Sequence, residues 1–525
     1  MKRKGDVKQK RTILTVVLTA ASLAMLSAQT VERLTDSLLY RVETQATVGS
    51  GDHSPLWLNA NRYGLSSVES KYGYLRGAVE RPLSADDGRR WGVGYGVDMA
   101  AATGMTSRLV VQQAFVEARW MKGVLTIGSK EQPMELKNQQ LSSGSQTLGI
   151  NARPVPQVRL SLPDYWEVPY TKGWVALKGH IAYGMTTDDG WQKDFTAQQQ
   201  RYTEHTLLHT KAGYLRIGKE EKPVSVELGL EMACQFGGTS YKVEGPNDDM
   251  VYHNAQNVKS FLKAFVPFSG SDATDDVFNN TEGNSLGSWI ARVNLDYEKW
   301  NLGVYGEHFF EDQSSMFLLD YNGYGSGDEW DVKKDSRFFL YDLKDMMLGA
   351  ELTLKDCRWL NKILVEYLYT KYQSGPLYHD HTSAISEHIS GRDNYYTHHL
   401  FTGWQHWGMV MGNPLYLSPL YNDDSTIKVK NSRFVAWHFG LSGQPTSRLH
   451  YRLQATMQKG WGTYEWLYPD PRKNFSLMAE VAYELPRGWT VKGAVGYDSG
   501  DIYGDNCGFQ LTVAKRGVIK LNSKH

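Results

Sequence analysis

Residues 449–458 read LHYRLQATMQ, with Leu449, Tyr451, Leu453, Ala455 and Met457 alternating with His450, Arg452, Gln454, Thr456 and Gln458. A period of two puts the first set on one face of an extended strand and the second set on the other. The pattern recurs along the chain. Val226, Leu228, Leu230 and Met232 alternate with Glu227, Gly229, Glu231 and Ala233, and Val175, Leu177, Ile181 and Tyr183 with Ala176, Lys178, His180 and Ala182. Val93, Tyr95, Val97 and Met99 alternate with glycines and Asp98, and Ala291, Val293 and Leu295 with Arg292, Asn294 and Asp296. Near the C-terminus Leu477, Ala479, Val481 and Tyr483 are followed by Phe509, Leu511 and Val513, each set interleaved with largely polar or small residues. Helical periodicity is scarce. Strands with one apolar and one polar face suit the wall of a transmembrane barrel, apolar toward lipid and polar toward the lumen. Only a closed sheet pairs every backbone group in hydrocarbon. A soluble β-sandwich or propeller shows similar alternation and is the competing architecture.

The N-terminus sets the compartment. Residues 1–28 carry six Lys/Arg before position 12, an apolar run from Ile13 to Leu26, and a small Ser27-Ala28 end. This is the pattern of a secretory signal peptide, and the run is too short for a membrane anchor. The whole chain of 525 residues balances 57 Lys+Arg against 57 Asp+Glu. Removing the leader leaves 51 basic and 56 acidic residues, a net charge of −5. That balance argues against a nucleic-acid partner. Mean hydropathy is −0.47, as expected where half of each strand and all loops are polar. Of 31 Tyr, 16 Trp and 17 Phe, those near strand ends fit aromatic girdles at the two membrane interfaces.

At roughly 25 residues per strand with its connection, the mature length accommodates about 16–20 strands. The expected fold is therefore all-β: a transmembrane antiparallel barrel of about 18 strands, with small helical or loop elements partly filling the lumen. Residues 29–85 form an N-terminal segment, periplasmic or plug-forming, leading into a barrel over 86–525. Its first part suits either a short helix or a strand. Stretches 131–151, 235–255, 268–288, 312–338, 372–402 and 412–430 alternate poorly and are loop candidates, some of them plug candidates.

Several blocks resemble the capsule assembly protein Wzi family in its Bacteroides-like form. They include GDHSPLWL (51–58), NRYG (61–64), NARPVPQVR (151–159), EHFFED (307–312) and EYLYTKYQSGP (366–376). The densest run is GRDNYY (391–396), GWQHWGM (403–409), GNPL (412–415) and SPLYN (418–422), followed by GWGTY (460–464). The resemblance implies an outer-membrane barrel of about 18 strands, with helical elements near the periplasmic side. It also implies a lectin-like role in holding capsular polysaccharide at the surface, without cutting or building the glycan.

No H-E-x-x-H zinc motif occurs in the sequence. Glu307, Glu311 and Asp312 are the carboxylates to weigh for a glycosidase, and they read better as lumen wall and strand end. Tyr378-His379-Asp380-His381 with His388, His398 and His399 is the nearest approach to a metal site. Asp248, Asp249, Asp272, Asp275, Asp276, Asp328 and Glu329 are the residues to weigh for calcium. No cofactor is expected. Sugars offer apolar C–H faces and many hydroxyls, so a binder pairs aromatics with polar groups. Arg392, Asp393, Asn394, Tyr395, Tyr396, Trp404, Gln405, His406 and Trp407 supply both and are the candidate glycan site, unless the aromatics serve as girdle or plug packing. Arg153, Arg159, Glu307, Glu366 and Lys371 are candidates for a charged lumen network. The expected partners are capsular or other surface polysaccharide, outer-membrane lipid or lipopolysaccharide, and envelope proteins. The expected location is the outer membrane of a Gram-negative cell, with a porin or an accessory structural subunit as alternatives.

Overall fold

The computed structural model describes residues 37–219, 221–243, 250–266, 283–311, 328, 332, 345–378, 389–392 and 394–519. The leader at 1–28 lies outside them. Eighteen strands form one closed antiparallel sheet. They are β1 (Leu38–His53), β2 (Glu69–Arg81), β3 (Trp91–Thr103), β4 (Leu109–Trp120), β5 (Gly123–Ser129), β6 (Gln157–Glu167), β7 (Val175–Met185), β8 (Leu207–Ile217) and β9 (Val224–Phe236). The second half comprises β10 (Asn284–Asp296), β11 (Trp300–Glu311), β12 (Met346–Leu354), β13 (Lys362–Tyr369), β14 (Phe434–Gly443), β15 (Leu449–Gly462), β16 (Leu467–Leu485), β17 (Trp489–Gly500) and β18 (Asn506–Ile519). Each strand pairs with its sequence neighbours, and β1 closes on β18 from Leu38↔Ile519 to Ser50↔Cys507. Residues 38–53 and 69–81 are therefore the first two strands of the wall, and the stretch between them turns inward.

Side-chain alternation follows the sequence pattern. On β18, Phe509 and Leu511 face out while Gln510 and Thr512 are buried. On β9, Leu228 faces out and Glu231 is wholly buried. On β15, Leu453 and Met457 face out while Gln454, Thr456 and Gln458 are buried. In water an outer surface this apolar would be a large liability, whereas in hydrocarbon it is the matched solvent.

The two ends differ. One has short connections such as 121–122, 297–299 and 486–488, and it also holds the first residue of β1 and the last of β18. Exposed Trp91, Trp120, Trp166, Trp174, Trp359 and Trp489 ring this end. The other end has the long connections, and exposed Trp289, Trp437 and Tyr497 stand on the strands toward it. Two aromatic levels flanking an apolar band match the girdles of a membrane-spanning barrel.

Among the described residues three α-helices, Leu56–Asn59, Trp191–Phe195 and Val258–Phe265, lie in connections at the long-loop end, and two 3-10 turns, Leu83–Asp86 and Pro486–Gly488, lie at the short-turn end. Residues 235–255, expected as loop, contribute Thr239–Val243 and Met250–His253 to a small sheet with Tyr202–Glu204.

A charge introduced at mid-wall tests the outer face. Val116, exposed on β4, replaced by Arg is expected to cost about 2–4 kcal/mol of folding stability in bilayers. Leu109→Lys, at the end of the same strand, costs about 0–1 kcal/mol. Urea titration of vesicle-inserted protein, read by heat-modifiable gel migration, measures both.

Candidate functional site

The polar inner face creates the problem that the interior segments solve. Wall carboxylates Glu231, Glu307, Glu351 and Glu366 are buried, and a buried carboxylate needs donors. Residues 130–156, between β5 and β6, cross the lumen and supply them. Lys137 Nζ lies 2.6 Å from Glu307 Oε2, with both side chains fully buried. Gln146 N–H donates to Glu307 Oε1 at 3.1 Å. Asn138 Nδ2 donates to Glu351 at 2.6 Å. Ser142 Oγ and Ser143 N–H donate to the two oxygens of Glu366 at 2.6 and 2.8 Å, and Tyr305 OH donates to the same carboxylate. His438 of β14 reaches the Leu141 carbonyl through Nε2 at 2.7 Å. Gly440 is required here, because a Cβ on it would come within 2.9 Å of Leu141 Cβ.

Residues 54–68 fold in beside this segment. Leu56 N–H donates to Asp498 at 2.9 Å, and Trp57 Nε1 to Thr456 Oγ1 at 3.0 Å. Residues 394–433 complete the filling. Asn413 Nδ2 donates to the Gly144 carbonyl at 3.1 Å, and Gln458 Nε2 of the wall to the Leu415 carbonyl at 2.8 Å. Apolar packing joins the three segments to inward wall residues. Trp57 and Leu58, Ala152 and Val155, and Tyr395, Trp404, Leu415 and Tyr416 share one buried cluster with Tyr305, Met347, Leu368, Phe434 and Met478. The upper lumen is thus a packed core, unlike the polar channel of an open barrel.

The candidate glycan residues sit mostly inside this core. Asn394, Tyr395, Tyr396, Trp404, Gln405 and His406 are buried. Trp404 Nε1 donates to the Thr147 carbonyl at 3.2 Å, and Tyr396 stacks on Tyr416 with centroids 4.0 Å apart. Their ring faces meet protein, leaving none for a sugar in this conformation. Trp407 is half-buried, with the Arg153 guanidinium 4.3 Å above its ring. Arg392 ends a short strand, Ile389–Arg392, and Asp393 lies outside the described residues.

Of the proposed lumen network, Glu307 and Glu366 hold the central segment. Arg153 is buried and donates to Thr106 Oγ1 at 2.9 Å; burial pulls its guanidinium down to about 10. Arg159 lines a partly open cavity of about 110 Å³ with His180, Tyr214, Glu231 and Trp404. Lys371 stands apart from these four, at the long-loop rim over the Trp461 ring. Sequence reading missed Lys137, Asn138, Ser142 and Ser143. The available signal was a donor-rich, non-periodic stretch lying among strands with inward carboxylates.

Two further openings stand out among the described residues. At the short-turn end a vestibule of about 710 Å³ is lined by Lys178, Glu227, Arg292, Glu351, Lys362 and His450, with Lys137–Leu141 at its floor. At the long-loop end a cleft of about 250 Å³ is lined by Gln199, Gln200, Arg201, Lys242, Thr426 and Lys428. Beside it, exposed Trp466 has Lys428 Nζ 5.0 Å and Lys430 Nζ 5.3 Å from its ring. Among the described residues no group of three or more His, Cys, Asp or Glu is placed to hold a metal ion. The rings of His398 and His399 lie tilted against each other with centroids 4.2 Å apart. Tyr378 is described only as backbone; His379, Asp380, His381 and His388 lie outside, as do the calcium candidates except Asp328.

Removing one partner of the buried pair tests the central segment. Lys137→Met leaves the Glu307 charge uncompensated and is expected to cost about 3–5 kcal/mol. Adding Glu307→Gln recovers most of the loss; urea midpoints in detergent give both values. A second test concerns His406, whose Nδ1 and Nε2 lie 2.8 Å from the Arg153 and Thr187 carbonyls. Burial holds its imidazole below the ordinary 6.5. Its stabilising contribution is complete above pH 6.5. It falls as pH drops toward the depressed folded value, because the unfolded chain binds the proton first. His406→Gln is expected to flatten the stability difference between pH 7.5 and 5.

No family model and no curated protein sequence matches this chain. Solved structures do. Wzi, an outer-membrane protein involved in group 1 capsule assembly in Escherichia coli and a carbohydrate-binding β-barrel, aligns with TM-score 0.50 and 13% identity. That alignment covers 93% of this chain and 86% of the other. Pseudomonas aeruginosa OccK5 (OpdH) aligns with TM-score 0.45 and 7% identity over 92% and 98% of the two chains. Pseudomonas aeruginosa OprD gives 0.42 and 10% over 92% and 95%. At such identity the likeness to Wzi is one of fold: a large, closed β-barrel of the outer-membrane kind.

Proposed function

We propose that this chain is a non-enzymatic outer-membrane protein that binds an acidic surface polysaccharide, capsular in kind, and assists its assembly at the cell surface. The long-loop end faces outward in this reading, and the leader at 1–28 delivers the chain to the envelope. The observation that carries the proposal is the pairing of a filled lumen with the basic cleft at the long-loop end. A barrel whose upper half is packed protein is suited to holding a ligand outside rather than conducting one through. Arg201, Lys242 and Lys428 provide cations for carboxylate or phosphate groups along a glycan. Trp466 provides a ring face for sugar C–H groups between two lysines. Distant likeness to a carbohydrate-binding barrel is in keeping with this. The site moves from the buried Trp404 region to the exposed Trp466 region because only the latter offers an accessible ring.

Retention on an immobilised acidic polysaccharide tests the reading. Trp466→Ala combined with Lys428→Ala is expected to lower affinity about tenfold while the barrel still inserts. Trp404→Ala is expected to act through stability instead. Deleting the gene lowers surface-retained capsule. Unchanged capsule, or a large steady conductance of the purified protein in planar bilayers, would sink the proposal.

A further inference from the structure

We propose that the outer wall across β13–β16 carries a site for the phosphate of an outer-leaflet lipid headgroup, formed by Lys371, Lys459 and Lys473 around Trp461. The inference rests on the reading above that the long-loop end faces outward. Register supplies the geometry. Tyr367, Trp437, Met457 and Phe475 lie side by side across β13–β16 and form one apolar row of the outer face. Two residues further toward the loops, on the same face, the row reads Tyr369, Val435, Lys459 and Lys473. The rise of two strand residues is about 7 Å. This puts the ammonium groups directly above the level where hydrocarbon gives way to headgroups.

Lys459 and Lys473 are exposed and directly opposite each other across the β15–β16 ladder. Like charges so placed repel and weaken a sheet. Lys371 Nζ and Lys459 Nζ stand 4.4 and 5.2 Å from the Trp461 ring centroid, which gathers two of the cations around one aromatic ring. Among the described residues none of the three lysines forms an ion pair. Asp501, whose N–H donates to the Lys473 carbonyl at 2.9 Å, flanks the row without pairing with its ammonium. A multiply charged phosphate above the apolar row relieves the repulsion, and its acyl chains continue down over Met457, Trp437 and Phe475. A glycan carboxylate lacks that second, apolar half.

The test uses the full-length protein refolded in neutral detergent and native mass spectrometry to count retained lipid. The probes are diphosphoryl lipid A, its dephosphorylated form, phosphatidylglycerol and inorganic phosphate. Diphosphoryl lipid A is expected to stay bound and the dephosphorylated form to dissociate, with retention falling about fivefold for each lysine replaced in Lys371→Gln, Lys459→Gln and Lys473→Gln. Phosphatidylglycerol and inorganic phosphate do not displace it. Equal retention by wild type and the triple variant, indifference to the phosphates, or displacement by phosphatidylglycerol overturns the site. Heat-modifiable migration reports folding. Should the triple variant not fold, Lys473→Gln alone, an exposed change, carries the comparison. Polysaccharide retention measured on the same variants is expected to be unchanged, so failure of the lipid site leaves the glycan proposal standing. Loss of glycan retention instead assigns these lysines to the glycan and overturns the lipid site.

Discussion

Every peptide N–H and C=O within hydrocarbon must find a partner, because an unsatisfied group there costs several kcal/mol. The thirteen residue pairs that join β1 to β18 discharge that requirement at the seam. The rest follows in sequence. Closure fixes an inside and an outside for each strand. The period of two then sends Glu231, Glu307, Glu351 and Glu366 inward, and inward carboxylates in a confined space require donors. The segment at 130–156 answers with Lys137, Asn138, Ser142, Ser143 and Gln146.

The filling is held by charge and shape together. The Lys137–Glu307 pair is fully buried, and desolvating two ions offsets much of their attraction. What makes the arrangement favourable is that the remaining carboxylate oxygen is also bonded, to the Gln146 N–H. Around this polar centre, Trp57, Tyr395, Trp404 and Tyr416 pack against Met347, Leu368 and Met478 of the wall. A polar network with apolar flanks specifies one docked position better than either does alone.

The wall was legible because its code is local: Leu453 and Met457 against Gln454 and Thr456 can be read within one strand. The filling was not, because its contacts join distant residues of no common period. Lys137 and Glu307 are 170 positions apart, and Leu141 and His438 are 297 apart. Glu307 and Glu366 were recognisable as inward carboxylates, but their donors were hidden in a stretch that showed only an absence of alternation. Trp404 and Trp466 look alike as letters. One is sealed against Thr147 and the other lies open beside Lys428, a difference set by tertiary packing alone. The Lys459–Lys473 apposition likewise emerges only when register is known.

The seam has a consequence for biogenesis. Its two halves come from opposite ends of the described chain, Leu38 and Ile519, so the last strand must be delivered before the first can be satisfied. Until then the nascent sheet carries two bare edges, which invite pairing with other chains. Such long-range contacts also make ring formation slow relative to local hairpins. A truncation that removes only β18 would abolish the product, although the other seventeen strands keep their sequences intact.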